Sequence, residues 1–207
     1  MVKATHGSGF NYLVPDKARV DWGDVMAKCA LWLNRNHYSD NREWAYKHIE
    51  PRIIVEEFIS DATGRSALNH KVFVFGGRAQ LIQVDAVDRC DNYDLSWNRL
   101  DLRGQRDPIG GVPRPALLGD LIECAEALGA GLDFLRVDLY VTTKVYFGEM
   151  TLYPSAGLKR FNPEKWNRYL GELWDLSAKV TAATIDRKPN LTPQPIPPVG
   201  GRSFTPP

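Results

Sequence analysis

Apolar and polar residues alternate in short runs along this chain, and the period of the pattern changes several times. A strand around Lys3 runs into the loop His6-Gly7-Ser8-Gly9, and residues 10–14 read as a second strand stopped by Pro15. From Asp21 the period becomes helical: Trp22, Val25, Met26, Cys29 and Leu33 recur near i, i+3, i+4 and i+7, with Asp21 or Asp24 placed as a cap. A second short helix is expected over residues 42–48, closed by Pro51. Residues 52–59 predict a buried strand and residues 60–68 a polar loop. Residues 71–75 and 80–84 flank Gly76-Gly77, a two-residue hairpin signal. Residues 88–114 read mostly as loop, with a short strand over 95–102. A helix is expected over 116–128, with Gly129 and Gly131 where its C-terminal cap belongs. Strands follow over 134–141 and 144–152, then a final helix over 164–183. The last nineteen residues, from Pro189, hold seven of the fourteen prolines and no period, which predicts an extended or disordered tail. Hairpin-like connections outnumber strand–helix–strand crossovers. The fold class expected is α+β with a mainly antiparallel sheet.

Composition narrows the classes. With 207 residues, 43% of them hydrophobic, the chain can bury one sizeable core, as one domain or a tight pair of lobes. Twenty-six Lys and Arg against 25 Asp and Glu leave a net charge of +1, so the basic footprint of a nucleic-acid binder is absent. No apolar run approaches the roughly 18–20 residues needed to span a bilayer. The N-terminus has no apolar signal segment, and three scattered cysteines make neither a disulfide framework nor a zinc pattern. A reducing, cytoplasmic setting is expected.

Three groups of residues carry candidate chemistry. Lys3 precedes the glycine loop, where successive backbone N–H groups can cradle an anion and a lysine adds a point charge. Arg136-Val137-Asp138 faces Gly148-Glu149-Met150-Thr151 across a hairpin. With Thr142-Thr143 as the turn, Arg136 lies opposite Glu149 and Asp138 opposite Phe147. Alternation then sets Arg136, Asp138, Glu149 and Thr151 on one face, the two carboxylates as diagonal neighbours that one or two Mg²⁺ ions can bridge. A plain cross-strand salt bridge between Arg136 and Glu149 is the alternative. Third, Glu56-Glu57-Phe58-Ile59 closes a strand ahead of Asp61, and extended backbone there offers the paired carbonyl and amide that an adenine edge takes; a solvated edge strand is the alternative.

Together these groups resemble the ATP-grasp superfamily, in its TupA-like branch, named for teichuronopeptide biosynthesis. The resemblance is carried by residues 3–11 (KATHGSGFN), 52–59 (RIIVEEFI), 71–75 (KVFVF), 82–85 (IQVD), 136–140 (RVDLY) and 146–157 (YFGEMTLYPSAG), and runs to about residue 176. It implies an ATP-grasp fold whose two lobes of antiparallel sheet and flanking helices clamp ATP. The lobes would be residues 1–55, with the glycine loop, and 56–188, with the metal hairpin; residues 189–207 are the tail. Lys3 and Lys71 would hold ATP phosphates beneath Gly7-Ser8-Gly9, with His6 as a further donor in that loop. Glu56, Glu57, Phe58 and Ile59 would clamp adenine, and Asp61 would meet ribose. Asp138 and Glu149 would ligate Mg²⁺, Thr151 contacting it through water. Arg136 would stabilise the transferred phosphoryl group, and Gly157 lies in the small-residue turn where the substrate carboxylate reacts.

The implied activity is ATP-dependent carboxylate–amine ligation through an acyl phosphate, on small-molecule acid and amine substrates, in cell-surface polysaccharide or peptide biosynthesis. A truncated, non-catalytic ATP-binding module and a small-molecule kinase of the same fold are the alternatives. Two departures stand out. Thr151 replaces the asparagine usual two residues after the metal glutamate. The sequence also begins at the first lysine strand, where the superfamily carries a further N-terminal domain, so a missing domain or a partner protein is expected.

Overall fold

The computed structural model describes residues 1–176 except Ala62 and Gln105. Its strands form two antiparallel sheets. β1 (Val2–Ala4) lies between β2 (Asn11–Tyr12) and β3 (Ile53–Val55) in a small sheet of order β2-β1-β3. α1 (Trp22–Leu33) covers it. Asp21 caps this helix by accepting from the amides of Gly23 and Asp24, and Val25, Cys29 and Trp32 pack on Val2, Ala4 and Phe10.

The chain then makes α2 (His37–Asn41), a 3₁₀ turn (Trp44–Tyr46) and β3. The helix expected over 42–48 thus starts earlier. Asn36 caps it through the Tyr38 amide, and Arg42, in the left-handed region at φ 59°, ends it. The strand expected over 52–59 is shorter and less buried than its apolar run suggests: Ile54 and Val55 are 42% and 77% exposed. Only β1 pairs it, and residues 56–59 leave the sheet to wall a cleft.

The larger sheet has order β6-β5-β4-β7-β8, built from β4 (Asn69–Phe75), β5 (Arg78–Ala86), β6 (Arg89–Tyr93), β7 (Phe134–Val141) and β8 (Val145–Thr151). Gly76 and Gly77, at φ +54° and +78°, make the expected two-residue hairpin between Phe75 and Arg78. Alternate positions face opposite ways. Val72 and Val74 join Ile82, Val84, Leu135, Val137 and Leu139 beneath α3 (Leu118–Gly129), which presses Leu121 and Ala125 onto them. Gly129 lets this helix close: a Cβ there would lie 2.6 Å from Val74 Cγ1. Phe73, Phe75, Leu81 and Phe134 face the other way, toward α4 (Lys165–Glu172).

The segment 95–102 is not a strand. Asp94 accepts from the amides of Ser96 and Asn98, Trp97 turns at φ 70°, and a single bridge joins Tyr93 to Arg99. Instead the polar stretch Arg89–Tyr93 pairs with β5 as an edge strand. The helix expected to run to 183 is described over Lys165–Glu172; residues 177–183 and the tail from 189 lie outside the described residues.

Candidate active site

The face of the large sheet opposite α3 carries a polar row, one residue per strand. The register sets Gln83 (β5) beside Lys71 (β4), Lys71 beside Asp138 (β7) and Asp138 beside Glu149 (β8). Asp138 and Glu149 are therefore direct partners, not diagonal ones, and Arg136 pairs with Thr151 rather than Glu149. The hairpin departs from the expected register twice. Its loop holds residues 142–144, and a bulge adds one more residue at Gly148. A Cβ on Gly148 would lie 2.8 Å from the Asp138 carbonyl oxygen, so only glycine lets the strands approach there. Two single-residue slips sum to two, and all four predicted residues still share one face.

Their side chains meet. Arg136 forks onto Asp138, its Nε donating to Oδ1 at 2.6 Å and its Nη2 to Oδ2 at 2.9 Å. The same Nη2 reaches Glu149 Oε1 at 3.1 Å and Thr151 Oγ1 at 2.9 Å. Lys71 Nζ sits 2.9 Å from Asp85 Oδ2 and 3.5 Å from Asp138 Oδ2. Asp85 also takes Arg106 at 2.6 Å. Burial works to raise the Asp85 carboxyl, but Arg106 and Lys71 outweigh it and hold the pKa below the ordinary value. Glu149 goes the other way: although its side chain is half exposed, partial desolvation raises its pKa, the charge of Asp138 adds to that, and Arg136 and Lys71 only partly offset them. Tyr46 on the 3₁₀ turn overhangs the pair, and burial followed by the charge of Glu149 pushes its phenol up to about 12.

A cleft of about 550 Å³ lies between the two sheets. Lys71, Asp138 and Glu149 form its floor. Gly7-Ser8-Gly9 lies along one side, and Glu56 to Ile59 along the other. Lys3 reaches in from β1 and forms an ion pair with Glu56, whose carbonyl also accepts from the Met1 amino group at 2.9 Å. Gly7 is needed where it stands, because a Cβ would lie 2.4 Å from the Phe10 ring. Gly9 turns at φ +75°.

Arg136 and Thr151 are buried and touch the floor carboxylates without lining the cleft themselves, and three more of the predicted residues sit elsewhere. His6 is 2% exposed, behind the loop, with Nε2 hydrogen-bonded to the Trp32 carbonyl at 2.7 Å; it ties the loop to α1 instead of facing the cleft. Asp61 spends its carboxylate on its own turn, accepting from Thr63 and Arg65, beside a separate cavity of about 610 Å³. Gly157, at φ +75°, lines a third cavity beyond Arg136. Sequence reading placed Gln83 and Asp85 in the segment 82–85 that carries the resemblance but gave them no role, and it passed over Lys159. An aspartate inside the apolar run of β5 is the signal that could have given Asp85 one.

Among the described residues no group of three His, Cys, Asp or Glu is placed to hold a metal. Asp138 and Glu149, with the Thr151 hydroxyl, are a two-carboxylate hard-oxygen set. Such a set suits Mg²⁺ that keeps waters and takes its other ligands from phosphates, and does not suit an all-protein cage. Residues 1–175 match a protein family described as TupA-like ATPgrasp. The chain belongs to that family. No curated protein and no solved structure matches it. The α+β arrangement of two antiparallel sheets about a cleft is thus an ATP-grasp fold, and membership supports a general ATP-grasp ligase role. No helix among the described residues is long and apolar enough to cross a membrane.

Proposed function

We propose that this TupA-like ATP-grasp protein joins a carboxylic acid to an amine at the expense of ATP, through an acyl phosphate. The observation that carries this reading is the row Lys71–Asp138–Glu149 in a cleft that a glycine loop also lines. The two lobes on this reading divide near residue 55, with the cleft at their junction.

In this reading Glu56 to Ile59 present extended backbone to the adenine edge, while Lys3, Lys71 and the amides of residues 7–9 neutralise the phosphates. Asp138 and Glu149 would hold Mg²⁺, which when bound would supply charge neutralisation for the phosphates. Arg136, already pointing between the two carboxylates, stands where charge builds on the transferred phosphoryl group. That group leaves ATP for a substrate carboxylate oxygen, giving ADP and an acyl phosphate. The amine nitrogen then attacks the acyl carbon and releases inorganic phosphate. The residues do no covalent chemistry; they position the reactants and neutralise charge. Thr151 contributes by holding Arg136 at 2.9 Å. The reading extends to a setting in cell-surface polysaccharide or peptide biosynthesis.

The deciding assay is ADP and phosphate release with acids and amines supplied separately and together. Release that needs both supports the ligase. Release with a hydroxyl acceptor alone would make the protein a kinase, and nucleotide binding without turnover under any combination would make it a binding module.

A further inference from the structure

Every cation of the polar row except one has a carboxylate beside it. Lys71 has Asp85 and Asp138, Arg106 has Asp85, and Arg136 has Asp138 and Glu149. Lys159 has none within 4 Å among the described residues. Its ammonium donates to a neutral acceptor, Gln83 Oε1, at 2.5 Å, and lies 5.5 Å and 5.0 Å from the ring centres of Phe73 and Phe161. Gln83 is itself held, its Nε2 donating to Asp85 Oδ1 at 2.6 Å, which turns its carbonyl oxygen toward the lysine. An enclosed ammonium without a counter-ion is costly, and the lysine's pKa reflects that: burial, then the nearby Arg136 charge, lowers it to about 8.

The same ammonium borders the third cavity, of about 270 Å³, whose walls are mostly aromatic and aliphatic, Phe75, Phe134, Leu152 and Trp174 among them; Asn167, also on the wall, spends its amide on the Phe161 backbone. That volume suits one small ring-bearing metabolite. The cavity also lies next to the reacting groups, for Phe73 on its wall is the cross-strand partner of Arg136. Arg136 in turn contacts Asp138 and Glu149 on the cleft floor, so it stands between the two sets of lining residues.

We propose that this cavity is the acid subsite, taking a carboxylate on Lys159 with a compact, ring-sized apolar body among Phe75, Phe134 and Trp174. An incoming carboxylate supplies the counter-charge that Lys159 lacks, and the aromatic walls exclude water from the reacting group. The assignment of the bound carboxylate as the substrate rests on the ligase reading.

Calorimetric titration with 3-phenylpropanoate, 3-phenylpropanamide and acetate, on wild type and on Lys159→Met, tests it. Methionine keeps the volume and removes the charge. The expected result is that wild type binds 3-phenylpropanoate at least about tenfold tighter than either the amide or acetate, and that Lys159→Met binds acid and amide alike. Mg·ATP titrated into the same proteins should bind both equally. Equal binding of acid and amide by wild type overturns the subsite without any variant, as does an acid preference that survives in Lys159→Met. If Mg·ATP binds and the acid preference is missing, the subsite falls and the ligase reading stands. If the preference is present and Mg·ATP fails to bind wild type, the anion subsite stands and the ligase reading falls.

Discussion

Neutralising the two cleft carboxylates one at a time should have opposite consequences for the ligand-free protein. From sequence alone, removing either charge relieves repulsion between neighbours and leaves stability level or higher. The structure separates them. Asp138 is 1% exposed and receives both arms of the Arg136 fork as well as Lys71. In Asp138→Asn an amide NH₂ faces those donors and a buried guanidinium loses its main partner. Breaking one side of a buried pair costs about 3–5 kcal/mol. At about 2–4 °C per kcal/mol for a chain of this size, Tm should fall by roughly 6–20 °C. Glu149, by contrast, is 53% exposed and takes a single Arg136 contact. Its carboxyl has a folded pKa above the unfolded one, so its charge opposes folding once the pH exceeds both. Glu149→Gln removes that opposition while Asp138 keeps Arg136 paired. Its Tm should stay level or rise. At a hundredfold excess over Kd, Mg·ATP should add about 2.7 kcal/mol to wild type, roughly 5–11 °C, and most of that gain should vanish in both variants. Differential scanning calorimetry with and without Mg·ATP reads all of this. Equal losses of Tm in the two ligand-free variants would refute the asymmetry drawn from Arg136. A full nucleotide shift in both would refute the metal assignment.

Lys3→Ala and Lys71→Ala should each weaken Mg·ATP binding about 10- to 100-fold, the worth of one charge-assisted contact, and unchanged calorimetric affinities in both would remove the phosphate role. Gly148→Ala should lower Tm by several degrees, because its methyl meets the Asp138 carbonyl oxygen at 2.8 Å and the Tyr140 ring at 2.9 Å; overpacking of this kind costs about 1–3 kcal/mol. His70 is buried with its Nδ1 donating to the Leu68 carbonyl, and burial lowers its pKa from 6.5 to about 4. The unfolded chain then binds the extra proton between pH 6.5 and 4, so stability should fall by up to about 3 kcal/mol across that window, and His70→Gln should flatten the profile in chemical denaturation.

The parts legible in the sequence are those where one local signal suffices. Asp21 caps α1 as its side-chain chemistry demands, and Gly76-Gly77 turn the hairpin. The hairpin carrying Asp138 and Glu149 shows both the reach and the limit of alternation. Period two assigns faces, but a three-residue loop and a bulge at Gly148 re-pair the strands; the glycine within the strand hints at the bulge, and nothing local fixes the loop length. β6 was illegible for a different reason. Asp91 and Asn92 are buried there with partners distant in sequence: Asp91 accepts from the Gly111 amide at 2.7 Å, and Asn92 Nδ2 donates to the Leu102 carbonyl at 3.0 Å, while Asn92 Oδ1 has no partner among the described residues. Local reading prices those side chains as exposed. Lys159 likewise follows a loop of unremarkable composition, and only the folded chain brings it to Gln83, seventy-six residues away.

The large sheet keeps its two duties on opposite faces. Val72 and Val74 are sealed under α3, while Lys71 and Phe73, their neighbours in the same strand, face the cleft and the third cavity. In hereditary terms the strand is read in two alternating frames, one answerable to folding and the other to chemistry. Phe75 and Phe134 pack a second core under α4, so a lineage that changes the ligand preference of this face is freest to do so at Lys159, while the valines and leucines that hold α3 are inherited untouched.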